Sequence, residues 1–252
     1  MQESVQPAPE PTKPMSFVDK IVNIFASPGE LYENVRLTGP STSNWLIPWL
    51  IFIIISVALN QFMMSNPDLV DQMRSMMRGR VEQAVTDGRI TQEMADQQIE
   101  QYGPGSTLFT ITSLGGMAIV TFVAMFALGL VYWLVGKSVM KAAAPYMKVV
   151  EVIGLTYFIS TLEQIVTGIL VFIRGKLFST PSLALFISDF DIENKMHAAL
   201  SKVNIFTFWV LIVTAIGLAR LFQRDFPKVL VIVLVLWIIW AVASVALGIG
   251  AG

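Results

Sequence analysis

Five separated runs of roughly 20 apolar residues leave this chain one solvent in which to fold, because such a run, wound as a helix rising 1.5 Å per residue, matches the ~30 Å hydrocarbon core of a bilayer. The runs cover about residues 45–64, 109–136, 149–173, 203–222 and 229–249. With 54% apolar and 14% charged residues in a chain of 252, the composition falls far from that of soluble domains, in which about 25% of residues are charged. Backbone groups in hydrocarbon must satisfy one another within the segment, so each run is expected to be helical. The predicted fold is an all-α integral membrane protein, a single five-span transmembrane helix bundle. The polar segments are too short for a second large domain.

The third run carries the feature that most needs an explanation, a carboxylate in an apolar helix. An ionised side chain at the centre of a spanning helix costs about 3 kcal/mol, so Glu163 should face protein or water. At 100° per residue, Thr156, Ser160, Glu163 and Thr167 fall within a sector of about 60°, one polar stripe on an apolar rod. Two readings follow. The stripe is a structural hydrogen-bonding face that ties helices together, or it is a proton or cation site. Ser56, Thr121 and Thr214 lie at similar expected depth and offer hydroxyl partners. Glu151 lies off the stripe near the start of the run and is expected to meet Lys148 or Lys228.

Outside the runs the chain is punctuated by helix signals. Residues 1–14, with Pro7, Pro9, Pro11 and Pro14, read as a disordered tail. Residues 15–44 read as short amphipathic helices, packed on the bundle or lying in the membrane interface, with a capping box from Ser27 to Glu30 and Pro28 in the first turn. Residues 65–106 read as a helical hairpin outside the membrane, started by Asn66-Pro67 and broken at Asp87-Gly88. Its resemblance to a calcium loop fails on Gln83, Val85 and Met94, which stand where carboxylates or a polar ligand belong. Between the third and fourth runs, Ser188 to Asp191 resembles another capping box before an amphipathic helix carrying Ile192, Met196 and Leu200. His197 with Asp189, Asp191 and Glu193 suits a divalent ion, and a solvated, capped helix accounts for the same residues. Ser244, Gly248 and Gly252 recur every fourth residue as a candidate helix-packing face. Trp237 and Trp240 are expected to pack inside the bundle.

Orientation is read from Lys and Arg in the connections. Residues 137–148 hold Lys137, Lys141 and Lys148 with no acid, whereas residues 65–106 hold four Arg against seven acidic residues. The N-terminus is therefore expected in the cytoplasm and the C-terminus outside. The formal charge of −1 offers no field for nucleic acid, and zero cysteines exclude disulfides and thiolate chemistry. No HExxH, GxSxG or P-loop pattern occurs, and no cofactor or metal is expected.

The order of parts resembles the Yip family, the Ypt/Rab-GTPase-interacting polytopic membrane proteins, and its prokaryotic members in particular. The resemblance rests on a short helix followed by FASPGELYENV, a first span after Thr38-Gly-Pro40, an extended polar loop, four further spans in two close pairs, and the basic stretch KAAAPYMKVVEVIGLTYFIS. It implies a non-enzymatic protein of membrane organisation or trafficking in a plasma (inner) membrane of prokaryotic type, a scaffold or adaptor whose partners are the bilayer, a second copy of the chain or other membrane proteins. The competing reading is a small transporter or permeation unit centred on Glu163.

Overall fold

The computed structural model describes residues 13–188, 190–191 and 194–248. Residues 1–12 of the tail expected over 1–14, the acids Asp189 and Glu193 with Ile192, and Gly252 of the small-residue face lie outside them. The described residues form ten α-helices and one 3₁₀ turn, Leu183–Phe186, with no strand. Five of the helices are long and apolar enough to cross a membrane: α3 (Ser43–Met64), α6 (Thr107–Ser138), α7 (Tyr146–Arg174), α9 (Ile205–Phe222) and α10 (Phe226–Ala246).

Before them come α1 (Phe17–Ala26) and α2 (Pro28–Leu37). Ser16 starts α1 by accepting from the Asp19 N–H at 3.2 Å. The expected capping box at Ser27 does not form, since its side chain makes no cap hydrogen bond. Only one residue separates α1 from α2, and its main chain already serves both: the Ser27 N–H closes α1 on Asn23 O while its carbonyl receives Glu30 and Leu31. Ile24, Leu31, Tyr32 and Val35 are buried against the bundle, whereas Val18 and Val22 form an exposed apolar stripe on α1. One face of α1 therefore packs, and the other suits the membrane interface. Between α3 and α6, α4 (Pro67–Thr86) and α5 (Gln92–Tyr102) pair as the hairpin, capped by Asn66 and Thr91.

The axis of the bundle is α7, whose buried residues run almost unbroken from Lys148 to Ile159. It touches α3, α6 and α9, while α10 lies beyond, against α9 and α8 (Lys195–Lys202). Two glycines set the spacing. A Cβ on Gly154 would stand 2.3 Å from the Trp45 Cα, and one on Gly217 would stand 2.5 Å from Val152 and 3.0 Å from the Tyr32 ring. Close backbone approach of this kind is how helices associate without a hydrophobic driving force between them. At the end of α10, Gly248 lies past the helix with φ +66° and nothing within 4 Å of where its Cβ would stand, so it terminates α10. Ser244 is buried, with its hydroxyl donating to Ala241 O at 2.9 Å within α10.

Candidate functional site

Two polar centres lie on α7, and the first occupies its opening turns. Lys148 and Glu151, three residues apart, share one helix face and form an ion pair at 3.4 Å, with side chains only 5% and 1% exposed. What covers them arrives from more than 100 residues earlier. The Lys148 ammonium donates to Val35 O at 2.6 Å and Gly39 O at 2.9 Å. Glu151 accepts from the Ser41 N–H at 3.0 Å and from Asn44 Nδ2 at 2.6 Å. Asn44 Oδ1 in turn accepts from Lys20 at 2.7 Å. Burial pulls the Lys20 ammonium below the ordinary lysine range, with the Glu151 carboxylate opposing and Lys148 adding to the shift. A cation at the last carbonyls of α2 also complements that helix's dipole. The node thus fastens α1, α2, the 38–42 linker, α3 and α7 at one point. Lys148 is the partner expected for Glu151, and Lys228 instead pairs with Asp225 at 2.7 Å on the surface.

The second centre is the predicted stripe, which the fold breaks up. Thr156 is buried and its hydroxyl donates to Ile153 O of its own helix at 2.7 Å. Ser160 and Thr167 are half-buried. Glu163 accepts from Asn204 Nδ2 at 2.5 Å, and Asn204 Oδ1 caps α9 through the Phe206 N–H at 2.8 Å. The partner of Glu163 is therefore not a hydroxyl at mid-depth. Because Asn204 immediately precedes α9, Glu163 lies level with the boundary of that span and not with its centre. The expected depth partners are occupied elsewhere: Ser56 lies 2.7 Å from Gln164 Oε1, and Thr121 accepts from Trp49 Nε1 at 3.1 Å. The cause is the shortness of α9 against α7. Residues 177–188 and 194–204 fold back beneath that end, held by Leu183 N–H to Val203 O and Ile205 N–H to Pro181 O.

A cavity of about 380 Å³ opens beside Glu163, walled by Asn204, Thr180, Lys202, Thr207, Trp237 and Trp240. Trp237 packs on Phe208, but Trp240 is 59% exposed, contrary to the expected interior position. Since Asn204 marks the end of the apolar run of α9, Trp240 stands at the level where amphipathic indoles collect. Burial lowers the Lys202 ammonium from its ordinary range. His197 Nδ1 accepts from the Asp191 N–H at 3.0 Å and its ring stacks on Phe190, while the acids Asp189 and Glu193 read beside it lie outside the described residues.

Sequence reasoning missed the burial of the Lys148–Glu151 node and the Glu163–Asn204 bond. The i, i+3 spacing of an acid and a base inside an otherwise apolar helix start was the available signal for the first. Asn204, which falls inside the predicted fourth run 203–222, offered none. Neither a curated protein nor a solved structure matches the chain. The model of the Yip1 domain matches residues 22–248, which takes in all five spans, the α4–α5 hairpin and the α2 segment that the node clamps. A match over that much of the molecule, joined to the five-helix architecture, makes this chain a member of the Yip1-domain family.

Proposed function

We propose that this Yip1-family protein acts as a non-catalytic scaffold or adaptor in membrane organisation, with its N-terminus in the cytoplasm and its C-terminus outside. The observation that carries this reading is the apolar filling of α7 between the Glu163 cavity and the Lys148–Glu151 node. Leu155, Phe158 and Ile159 fill that stretch and are buried. The hydroxyls of Thr156 and Thr161 are turned back onto carbonyls of α7 itself. A permeation unit needs a cavity that reaches both faces. A scaffold needs a rigid axis with helices fastened to it, which the node and the glycine contacts support. The α1–α2 pair and the α4–α5 hairpin are the surfaces left to meet partners.

The test is a flux measurement on purified protein in vesicles under a proton gradient and, separately, a potassium gradient. The expected result is leakage equal to that of protein-free vesicles, for the native chain and for Glu163→Gln alike. Proton or cation flux that Glu163→Gln abolishes would overturn the scaffold reading and establish the transporter.

The orientation has its own test in the cysteine-free background. Ala143 and Gln97 are both exposed in the fold, so each accepts a cysteine without loss of packing. In intact cells an impermeant thiol reagent is expected to label position 97, and position 143 only after permeabilisation. The reverse pattern inverts the topology.

A further inference from the structure

Where α2 leans on the end of α9, the two helices and the turn into α10 enclose a cavity of about 710 Å³. Its polar wall is made by Arg36, Arg220, Arg224 and Glu33, and its other wall by Ile216 and Phe226. These walls come from sequence positions far apart, and the folding of α2 onto α9 assembles them. Three guanidiniums face one carboxylate, so the site carries an excess of positive charge. Glu33 does not neutralise it further. Its hydrogen bond to Arg36 holds the carboxyl below the usual range, with Arg220 adding to the effect.

The three arginines are not equivalent. Arg36 is committed to Glu33, with Nε at 3.0 Å, and Arg224 is anchored through Nε to Met140 O at 2.9 Å. Arg220 has no hydrogen-bond acceptor among the described residues, and its guanidinium rests over the first turn of α2, 3.5 Å from where a Cβ on Gly29 would stand. A guanidinium presents a planar fork that matches the oxygens of a phosphate. The cavity sits where the apolar run of α9 stops at Phe222 and that of α10 begins at Phe226. One turn deeper on the same face of α9 as Ile216, Ile212 is exposed. A polar, cationic pocket thus adjoins an apolar stripe of α9 formed by Ile216 and Ile212.

We propose that this cavity binds the phosphate headgroup of an anionic phospholipid, with Arg220 as its principal contact and an acyl chain lying along Ile216 and Ile212 of α9. Basic pockets between spanning helices recognise anionic headgroups through this combination of charge and adjacent hydrocarbon. The apolar wall is what distinguishes a lipid from a free phosphate here, since a soluble anion gains nothing from it. The inference is independent of the scaffold reading, because a lipid at this position neither requires nor supplies a route across the bundle.

The experiment titrates the purified full-length protein in neutral detergent with dioleoyl phosphatidylglycerol and, in parallel, dioleoyl phosphatidylcholine, and counts bound lipid by native mass spectrometry. Phosphatidylglycerol is expected to bind more tightly, and Arg220→Gln to weaken it about tenfold while leaving phosphatidylcholine unchanged. Arg220→Lys, which keeps the charge and loses the fork, is expected to fall between the two. Lys228→Gln removes a nearby cation that is already paired with Asp225 outside the cavity, and is expected to bind like the native chain. Equal phosphatidylglycerol binding by the native chain and Arg220→Gln overturns the site. Equal affinity for the two lipids also overturns it, as does displacement of phosphatidylglycerol by an equal concentration of glycerol 3-phosphate, which would make the occupant a soluble phosphate.

Discussion

Glu151→Leu is expected to destabilise the protein by about 3–5 kcal/mol, the range found when one partner of a buried ion pair is removed and the other is left uncompensated. The size follows from what remains behind. The Lys148 side chain would be left at 5% exposure with only two carbonyls to receive it. The Ser41 N–H and Asn44 Nδ2 would both lose their acceptor. Buried donors without acceptors cost about 1–3 kcal/mol each, so relaxation has to recover part of the loss. The check is unfolding in detergent together with amide exchange over α2, which should lose protection first because Val35 and Gly39 are held by the same node. Lys148→Met combined with Glu151→Leu should be less damaging than the sum of the two single changes, since it removes both charges. A Glu151→Leu protein as stable as the native chain would show that the node is solvated and not buried.

Gly154→Ala should cost about 2 kcal/mol, although alanine is favoured over glycine by about 1 kcal/mol within a helix. The reversal of sign is the informative part. The added Cβ would lie 2.3 Å from the Trp45 Cα, a backbone atom that no rotamer change can move aside. Helices α3 and α7 must separate, and their contact is the most extensive in the bundle. Trp45 also follows Asn44, so a shift of α3 loosens the Glu151 node. Gly116→Ala on α6, where nothing lies within 4 Å of the new methyl, is the matched control and should be neutral or slightly stabilising. Thermal unfolding of both variants decides the matter, and a stabilised Gly154→Ala would mean that α3 and α7 are not in contact there.

Much of the architecture was legible before any coordinates, and for a definite reason. Partition into a bilayer depends on the summed apolarity of about 20 consecutive residues, a one-dimensional quantity. The spans accordingly begin and end within a few residues of the predicted limits, as with 45–64 against Ser43–Met64 and 149–173 against Tyr146–Arg174. The cap at Asn66 was legible in the same way, because a cap is a contact between residues two or three apart. Ser27 shows the limit of that logic: its spacing to Glu30 fits a capping box, but the residue also has to end the preceding helix.

The chain by itself determined that it would be a five-span helical membrane protein of the Yip type, and that a carboxylate would lie on α7. Tertiary structure alone decided what each polar group does. Glu163 met Asn204 at the edge of α9 because α9 is shorter than α7 and residues 177–188 and 194–204 fold back beneath it. Lys148 looked like one more cytoplasmic cation, yet it is buried, since the end of α2 and the 38–42 linker cover it from 110 residues away. Arg36, Arg220 and Arg224 became one pocket only when α2 docked on α9. Solvent preference is a property of a segment and can be read along the chain. The partner of a buried charge is a property of the packing, and no local pattern specifies which distant segment will supply it.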